Sequence, residues 1–403
     1  MAPIRGDVVQ RMRRLLSILL LLAFIPPLGA TAASLDPVMR KVEAIRELRF
    51  TGPIRTATIK RSELTPYLRK QLEKDLPVSP DEYGRILESL QLIDRSSGAI
   101  DSLLDLYQAQ VLAFYDPLAH VFYSLDAPPP GAEGSDLMQE AIEVHELTHA
   151  LQDQHFDAGR VMEGLRDDWD AQMAYQSLLE GEATLVMLAD MAKPMGVELD
   201  DVVANSAMLD TMGAMSQAGM AGVDAPRYFV QSLAFPYLQG LRFVSEAYRR
   251  GGWKAVDALY ANPPRSTAEI IHPELYGHAK AGAPGKLLPP SKSASLLDTP
   301  LGEFHWRFLL GADAVRGWEA DEARVTRVGP DLYRVETATR WDSPEDATTF
   351  ADALRSFLGS RGVHADVRVS ATRVAATWGA AIRPAATFGP VRRVPTPPAA
   401  PPN

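Results

Sequence analysis

The five residues His145-Glu146-Leu147-Thr148-His149 constrain this chain more than any other stretch, because two histidines at that spacing act together only if the backbone between them is helical. Four residues apart on a helix, they present their imidazoles on one face about a turn from each other, with Glu146 beside the first. This is the H-E-x-x-H pattern of a zinc-binding helix. Two neutral imidazoles hold the ion, which brings the pKa of a water toward about 7, and the glutamate is placed to accept that water's proton. The pattern demands a third ligand, a fold that keeps the segment helical and a cleft.

No cysteine occurs in the 403 residues, so a metal must be held by His, Asp or Glu. A chain of this length with 46% hydrophobic residues can bury a large core and exceeds the usual single domain. The formal net charge of −10 becomes −13 once residues 1–32, which carry four arginines and one aspartate, are set aside. That balance argues against a nucleic-acid partner.

Residues 1–32 read as a secretory signal peptide: Arg11, Arg13 and Arg14, an apolar run from about Leu15 to Ile25, then Pro26-Pro27 and Ala30-Thr31-Ala32 as an A-x-A cleavage site. The run is short for a membrane span. Arg13-Arg14 weakly resembles a twin-arginine signal. The expected location is periplasmic or secreted, with membrane contact only transiently through the signal peptide.

Residues 34–110 read as a mostly helical lead-in, with one strand over 53–60 and helices from Ser62, Pro80 and Ile100. Residues 113–124 place aromatic and apolar segments on either side of Asp116-Pro117, a hairpin signal. Pro128 to Gly131 then break the chain, and Ser135 or Asp136 caps the motif helix, whose buried face is Leu137, Met138, Ala141, Val144, Thr148 and Leu151. A second helix is predicted over about 167–191, and residues 195–224 are rich in Met, Gly and Ala, more in keeping with core filler than with a copper site. Helix resumes from Arg227 to Arg250 and stops at Gly251-Gly252, and Ser266 with Glu269 forms a capping box. Beyond a loop over 277–300, helix at 301–311, strand at 331–339, helix at 343–358 and strand at 364–375 suggest a small α+β subdomain. The expected division is signal peptide 1–32, metallopeptidase domain 33–295, subdomain 296–383 and a disordered Pro/Ala-rich tail 384–403.

Two residues compete as third ligand. His155 sits where the metzincin pattern H-E-x-x-H-x-x-G-x-x-H has its last histidine, but Gln152 stands where that pattern needs glycine. Glu180, within Glu180-Gly181-Glu182-Ala183-Thr184 and 31 residues after His149, matches the gluzincin alternative and is favoured. Glu182 is a weaker rival, and Thr184, one turn on, is in position for a supporting hydrogen bond.

The run from His145 to Asp157 resembles an uncharacterised family of exported, gluzincin-like metallopeptidases of bacteria and archaea. That family combines an H-E-L-x-H-A-L-Q-D-Q helix with segments matched here by Phe114 to Pro117, Glu180 to Thr184, Phe235-Pro236-Tyr237 with Gly240, and Ser266 to Tyr276. The resemblance covers roughly residues 40–355. It implies a zincin-like fold and supports Glu180 as a ligand.

The expectation is an α+β protein: a mainly helical zincin-like domain with a hairpin or small sheet, then a small C-terminal α+β subdomain. Zn²⁺ is expected on His145, His149 and Glu180, with Glu146 as general base and His272 as a transition-state donor. Tyr115 and its hairpin are candidates to hold an extended peptide by strand addition, while Asp116 reads as a turn residue. His120, His278, His305 and His364 lack metal spacing and read as structural or surface residues. The expected substrate is a peptide or protein. The competing expectations are an idle scaffold that binds peptide or cell-envelope partners, against which Glu146 speaks, and a zinc enzyme for non-peptide amides.

Overall fold

The computed structural model describes residues 35–76, 78–127, 136–205, 224–278, 286–291 and 293–382. The expected signal peptide, the Pro128 to Gly131 break, the Ser135 cap, Leu137 and Met138 as buried side chains, most of the Met-rich stretch and the tail lie outside what is described. Among the described residues no helix is long and apolar enough to cross a membrane.

The first part runs α1 (Asp36–Arg46), β1 (Arg55–Ile59), α2 (Arg61–Asp75), α3 (Pro80–Ser89), α4 (Ala99–Gln110), β2 (Ala113–Asp116), β3 (Val121–Leu125), α5 (Asp136–Phe156), α6 (Ala158–Gly164), α7 (Trp169–Ala192), α8 (Leu199–Ala204), α9 (Arg227–Ala261) and α10 (Thr267–Ile271). Then follow β4 (Leu297–Thr299), α11 (Gly302–Leu310), β5 (Trp318–Gly329), β6 (Leu332–Trp341), α12 (Pro344–Ser360), β7 (Ala365–Ser370) and β8 (Arg373–Ala381). The protein is α+β: a mainly helical part with a three-stranded sheet of order β1-β3-β2, and a five-stranded sheet of order β4-β5-β6-β8-β7.

In the small sheet β1 runs parallel to β3, with Arg55 opposite Val121. The predicted hairpin forms with Tyr115 opposite Phe122, which leaves β2 at the sheet edge. Helix α7 is the spine: its side chains are buried on almost every side along its length, including Leu178, Leu179, Leu185 and Val186. A helix buried all round belongs inside a core, and α9 lies along α7 with a close backbone approach. A Cβ on Gly240 would stand 2.0 Å from the Ser177 carbonyl oxygen, and one on Gly181 would stand 2.2 Å from the Gly240 carbonyl carbon. Only glycine permits that contact.

The second sheet carries α12, capped by Ser343 through the Asp346 N–H at 3.1 Å, with Phe350, Leu354 and Leu358 buried. Phe350 meets Trp306 edge-on at 5.0 Å, and Trp378 donates Nε1–H to the Ser89 carbonyl at 3.0 Å. The two parts therefore share contacts.

Three sequence expectations change. The strand read over 364–375 is two strands that reverse at Ala371, which has φ 51°. Gly251-Gly252 does break the helix, with Gly252 at φ 63°, but a further helical stretch starts at once and reaches Ala261. Strand β5 was not foreseen, because Asp321, Glu322 and Arg324 interrupt its apolar pattern. All three are buried and partnered: Asp321 accepts the Leu301 and Gly302 N–H groups at 2.9 and 2.8 Å, Glu322 accepts those of Leu287 and Leu288, and Arg324 binds Asp298.

Candidate metal centre

Helix α5 buries Ala141, Val144, Leu147, Ala150 and Leu151 against the core, with Thr148 turned back on the Val144 carbonyl at 2.8 Å. This fixes the helix's rotation so that His145 and His149 face α7. Helix α7 begins at Asp168, whose carboxylate accepts the Ala171 N–H at 2.9 Å, and carries Glu180 to the same point.

His145, His149 and Glu180 are buried together with their ligand atoms clustered. The two Nε2 atoms lie 3.1 Å apart, and they stand 3.1 Å (His145) and 3.4 Å (His149) from Glu180 Oε2. Tetrahedral zinc at roughly 2.0–2.1 Å from each ligand requires edges of about 3.3–3.4 Å, so three atoms already form one face of such a site. Two imidazoles and one carboxylate also suit zinc in their donor chemistry.

Gln152 supplies the support. Its Oε1 lies 2.8 Å from His149 Nδ1, and its Nε2 donates to the Leu179 carbonyl at 2.9 Å. The Leu179 bond fixes the amide, so Nδ1 keeps its proton and Nε2 is the nitrogen that can be offered to a metal once deprotonated. The residue that departs from the metzincin pattern thus orients His149, while α5 continues to Phe156. His155 points elsewhere and bonds the Arg49 carbonyl at 2.7 Å. Glu182 is held by Arg46 at 2.5 Å and by the Tyr260 hydroxyl, and Thr184 Oγ1 is buried without a hydrogen-bond partner among the described residues. Thr184 does not make the expected supporting bond.

Charge in the cluster is strongly coupled. Burial would raise the Glu180 carboxyl, but the two imidazoles, His149 first, hold it well below its ordinary range. Burial works against charge on His149, yet Glu180 lifts it to about 9, so a proton must leave when a metal binds.

Glu146 is half-buried, and its Oε2 accepts the backbone N–H of Tyr115 at 2.9 Å. Burial pushes its carboxyl above the ordinary range against the pull of the two imidazoles. The hairpin itself is pinned by Asp153, one turn beyond His149, which meets the Tyr115 hydroxyl at 3.0 Å, His120 Nδ1 at 2.8 Å and the Gly159 N–H at 3.2 Å. Asp116 caps the turn through the N–H groups of Leu118 and Ala119.

Tyr237 was missed as a site residue. Its ring stacks on His145 with centroids 5.8 Å apart and planes 19° from parallel. Burial, with the Glu180 and Glu146 carboxylates nearby, holds its phenol well above the ordinary range, so it remains a donor. The signal available was the Phe235-Pro236-Tyr237 segment of the family resemblance.

His272 is not brought to the cluster by any described hydrogen bond or ion pair. It binds Glu303 at 3.0 Å, with Arg307 and Glu274 also near, and the Glu303 hydrogen bond raises its pKa. His305 is buried against the Tyr228 hydroxyl, and His278 and His364 are exposed.

A family model described as a domain of unknown function, DUF8575, matches residues 293–388, the stretch that holds β4 to β8 and lies outside the cluster. No curated protein and no solved structure matches the chain.

Proposed function

We propose that this chain is an exported zinc peptidase that uses His145, His149 and Glu180 to hold the ion and Glu146 as general base. The observation that carries the reading is the three-atom face formed by these ligands with Glu146 tethered beside it. Bound zinc would supply Lewis acidity toward a carbonyl and lower the pKa of water.

The remaining work falls to the chain's own groups. Glu146 takes a proton from water and later gives it to the leaving amine, a cycle favoured by a carboxyl that burial holds above its ordinary range. The Tyr115 N–H holds one oxygen of Glu146, leaving the other to move the proton. Tyr237, whose ring stacks on His145, is the donor assigned to negative charge developing on a substrate carbonyl. Strand β2 supplies an edge along which an extended peptide can align, since Ala113 presents its backbone groups on the same side as the Tyr115 N–H. The Arg-rich, apolar and A-x-A stretches of residues 1–32 support export.

The test is metal stoichiometry and peptide turnover measured together. Wild type is expected to hold one zinc and cleave unstructured peptides. Glu146→Gln is expected to keep the zinc and lose about 10²–10⁴ in rate, while Glu180→Ala is expected to lose the zinc. Full zinc in Glu180→Ala with loss in His155→Ala overturns the ligand set. Equal turnover in wild type and Glu146→Gln overturns the mechanism, and a zinc-loaded wild type that binds peptides without cleaving them favours an idle scaffold.

A further inference from the structure

Between α7 and α9 lies a cavity of about 80 Å³ whose walls include Tyr83, Tyr107, Met173, Phe229 and Leu233. Its polar lining includes the indole of Trp169 and the amides of Gln172 and Gln176, which are 3%, 4% and 5% exposed. Trp169 Nε1, Gln172 Nε2 and Gln176 Nε2 have no hydrogen-bond partner among the described residues. Leaving a buried donor unpaired costs about 1–3 kcal/mol, and three around one small space ask for an acceptor to enter it.

Helical spacing sets the cavity one to two turns from the metal centre along the helices that bound it. Gln172, Gln176 and Glu180 succeed one another at four-residue steps on one face of α7, and Phe229, Leu233 and Tyr237 do the same on α9. Tyr107 feels both ends: it lines the cavity, and its phenol is raised by burial and then by the charge of Glu180. Tyr107, Met173 and Ser232 are only half-buried, which gives the space a mouth. Pro236 has no N–H for the Ser232 carbonyl, so an acceptor lacking its usual helical donor sits at that rim.

Size and charge narrow the occupant. A cavity of roughly 150 Å³ is what benzene needs, so an aromatic ring does not fit. No Asp, Glu, Lys or Arg lines the space among the described residues, and His305, the one titratable imidazole there, is pushed down to about 4 by burial and stays neutral. A carboxylate would therefore enter without a counter-charge, and an aliphatic end would leave all three donors unpaired.

We propose that this cavity is a substrate subsite for one neutral carboxamide side chain, Gln or Asn, of a peptide lying at the metal centre. The proposal rests on the peptidase reading for the peptide's position, but the recognition itself uses only Trp169, Gln172 and Gln176.

The test uses acetylated, amidated pentapeptides that are alanine except at the centre, which is Gln, Asn, Leu, Glu or Phe. Binding to the purified protein is measured by calorimetry in zinc and again in chelator, so that it is read apart from turnover. The better of the Gln and Asn peptides is expected to bind at least about tenfold more tightly than the others. That ratio is expected to fall to about one in both Gln176→Leu and Trp169→Phe, with melting temperature reporting that each variant is folded. Equal binding of Gln, Asn and Leu peptides, as a merely water-filled cavity gives, overturns the subsite. So does a preference that survives both substitutions, tight binding of the Glu peptide, or no peptide binding at all. A carboxamide preference without hydrolysis leaves the subsite standing and removes the peptidase, whereas hydrolysis without the preference does the reverse.

Discussion

Gly240→Ala sets two physical effects of opposite sign against each other. In an exposed helix the change is favourable by about 1 kcal/mol, because alanine loses less backbone freedom. Here the new Cβ would stand 2.0 Å from the Ser177 carbonyl oxygen, 2.8 Å from its carbon and 3.1 Å from its Cα. These are backbone atoms of a buried helix and cannot rotate away, so α7 and α9 must part by roughly 1.4 Å or more to restore ordinary contact. Overpacking of this kind costs about 1–3 kcal/mol, and rigid backbone on both sides puts the cost at the upper end. The expected net loss is about 1–2 kcal/mol, a fall of several degrees in melting temperature. Gly359 supplies the control, since it lies in α12 and a Cβ added there would meet nothing within 4 Å. Gly359→Ala is expected to raise the melting temperature slightly. Scanning calorimetry of the two variants and wild type under one buffer decides it: a Gly240→Ala protein as stable as wild type refutes the close-approach argument.

Other expectations follow from the same contacts. Gln152→Leu keeps the helix but removes the His149 partner, and zinc affinity by competition with a chromophoric chelator should fall about 10–100-fold. Arg46→Met leaves Glu182 buried beside Tyr260 with its main counter-charge gone, and denaturant unfolding should show a loss of about 3–5 kcal/mol. Asp321 is raised by burial to about 6, so the folded chain binds a proton that the unfolded chain releases between about pH 4 and 6. That contribution is fully present at low pH and lost as pH rises through about 6. The stability of Asp321→Asn relative to wild type should accordingly become worse by about 2–3 kcal/mol as pH falls from 6.5 to 4; no change in that difference over the window refutes the assignment.

Much of the site was legible because spacing encodes it. His145 and His149 carry their own geometry, and Glu180 was reachable because its helix is long, apolar and near in sequence. What stayed hidden depends on partners far along the chain. Tyr237 stacks on a histidine 92 positions earlier, a distance no helical period reports. The Glu303 partner of His272 lies 31 residues later, again beyond any helical period. Gly181 read as part of the context of a ligand, whereas the structure gives it the separate task of admitting Gly240. Strand β5 was invisible for an electrostatic reason: its carboxylates are hydrogen-bonded by loop and helix N–H groups, and its Arg324 is paired with Asp298, all from outside the strand.

Strand β2 is four residues long, and Glu146 already occupies the Tyr115 N–H on its open side. An unpaired edge is a template for any passing strand, including one from another copy of the protein. With so few groups left to offer, this edge can reward a visitor only briefly unless side chains hold it as well. Colloidal safety and ready release of a bound peptide would then have the same origin, the shortness of a strand that ends at Asp116-Pro117.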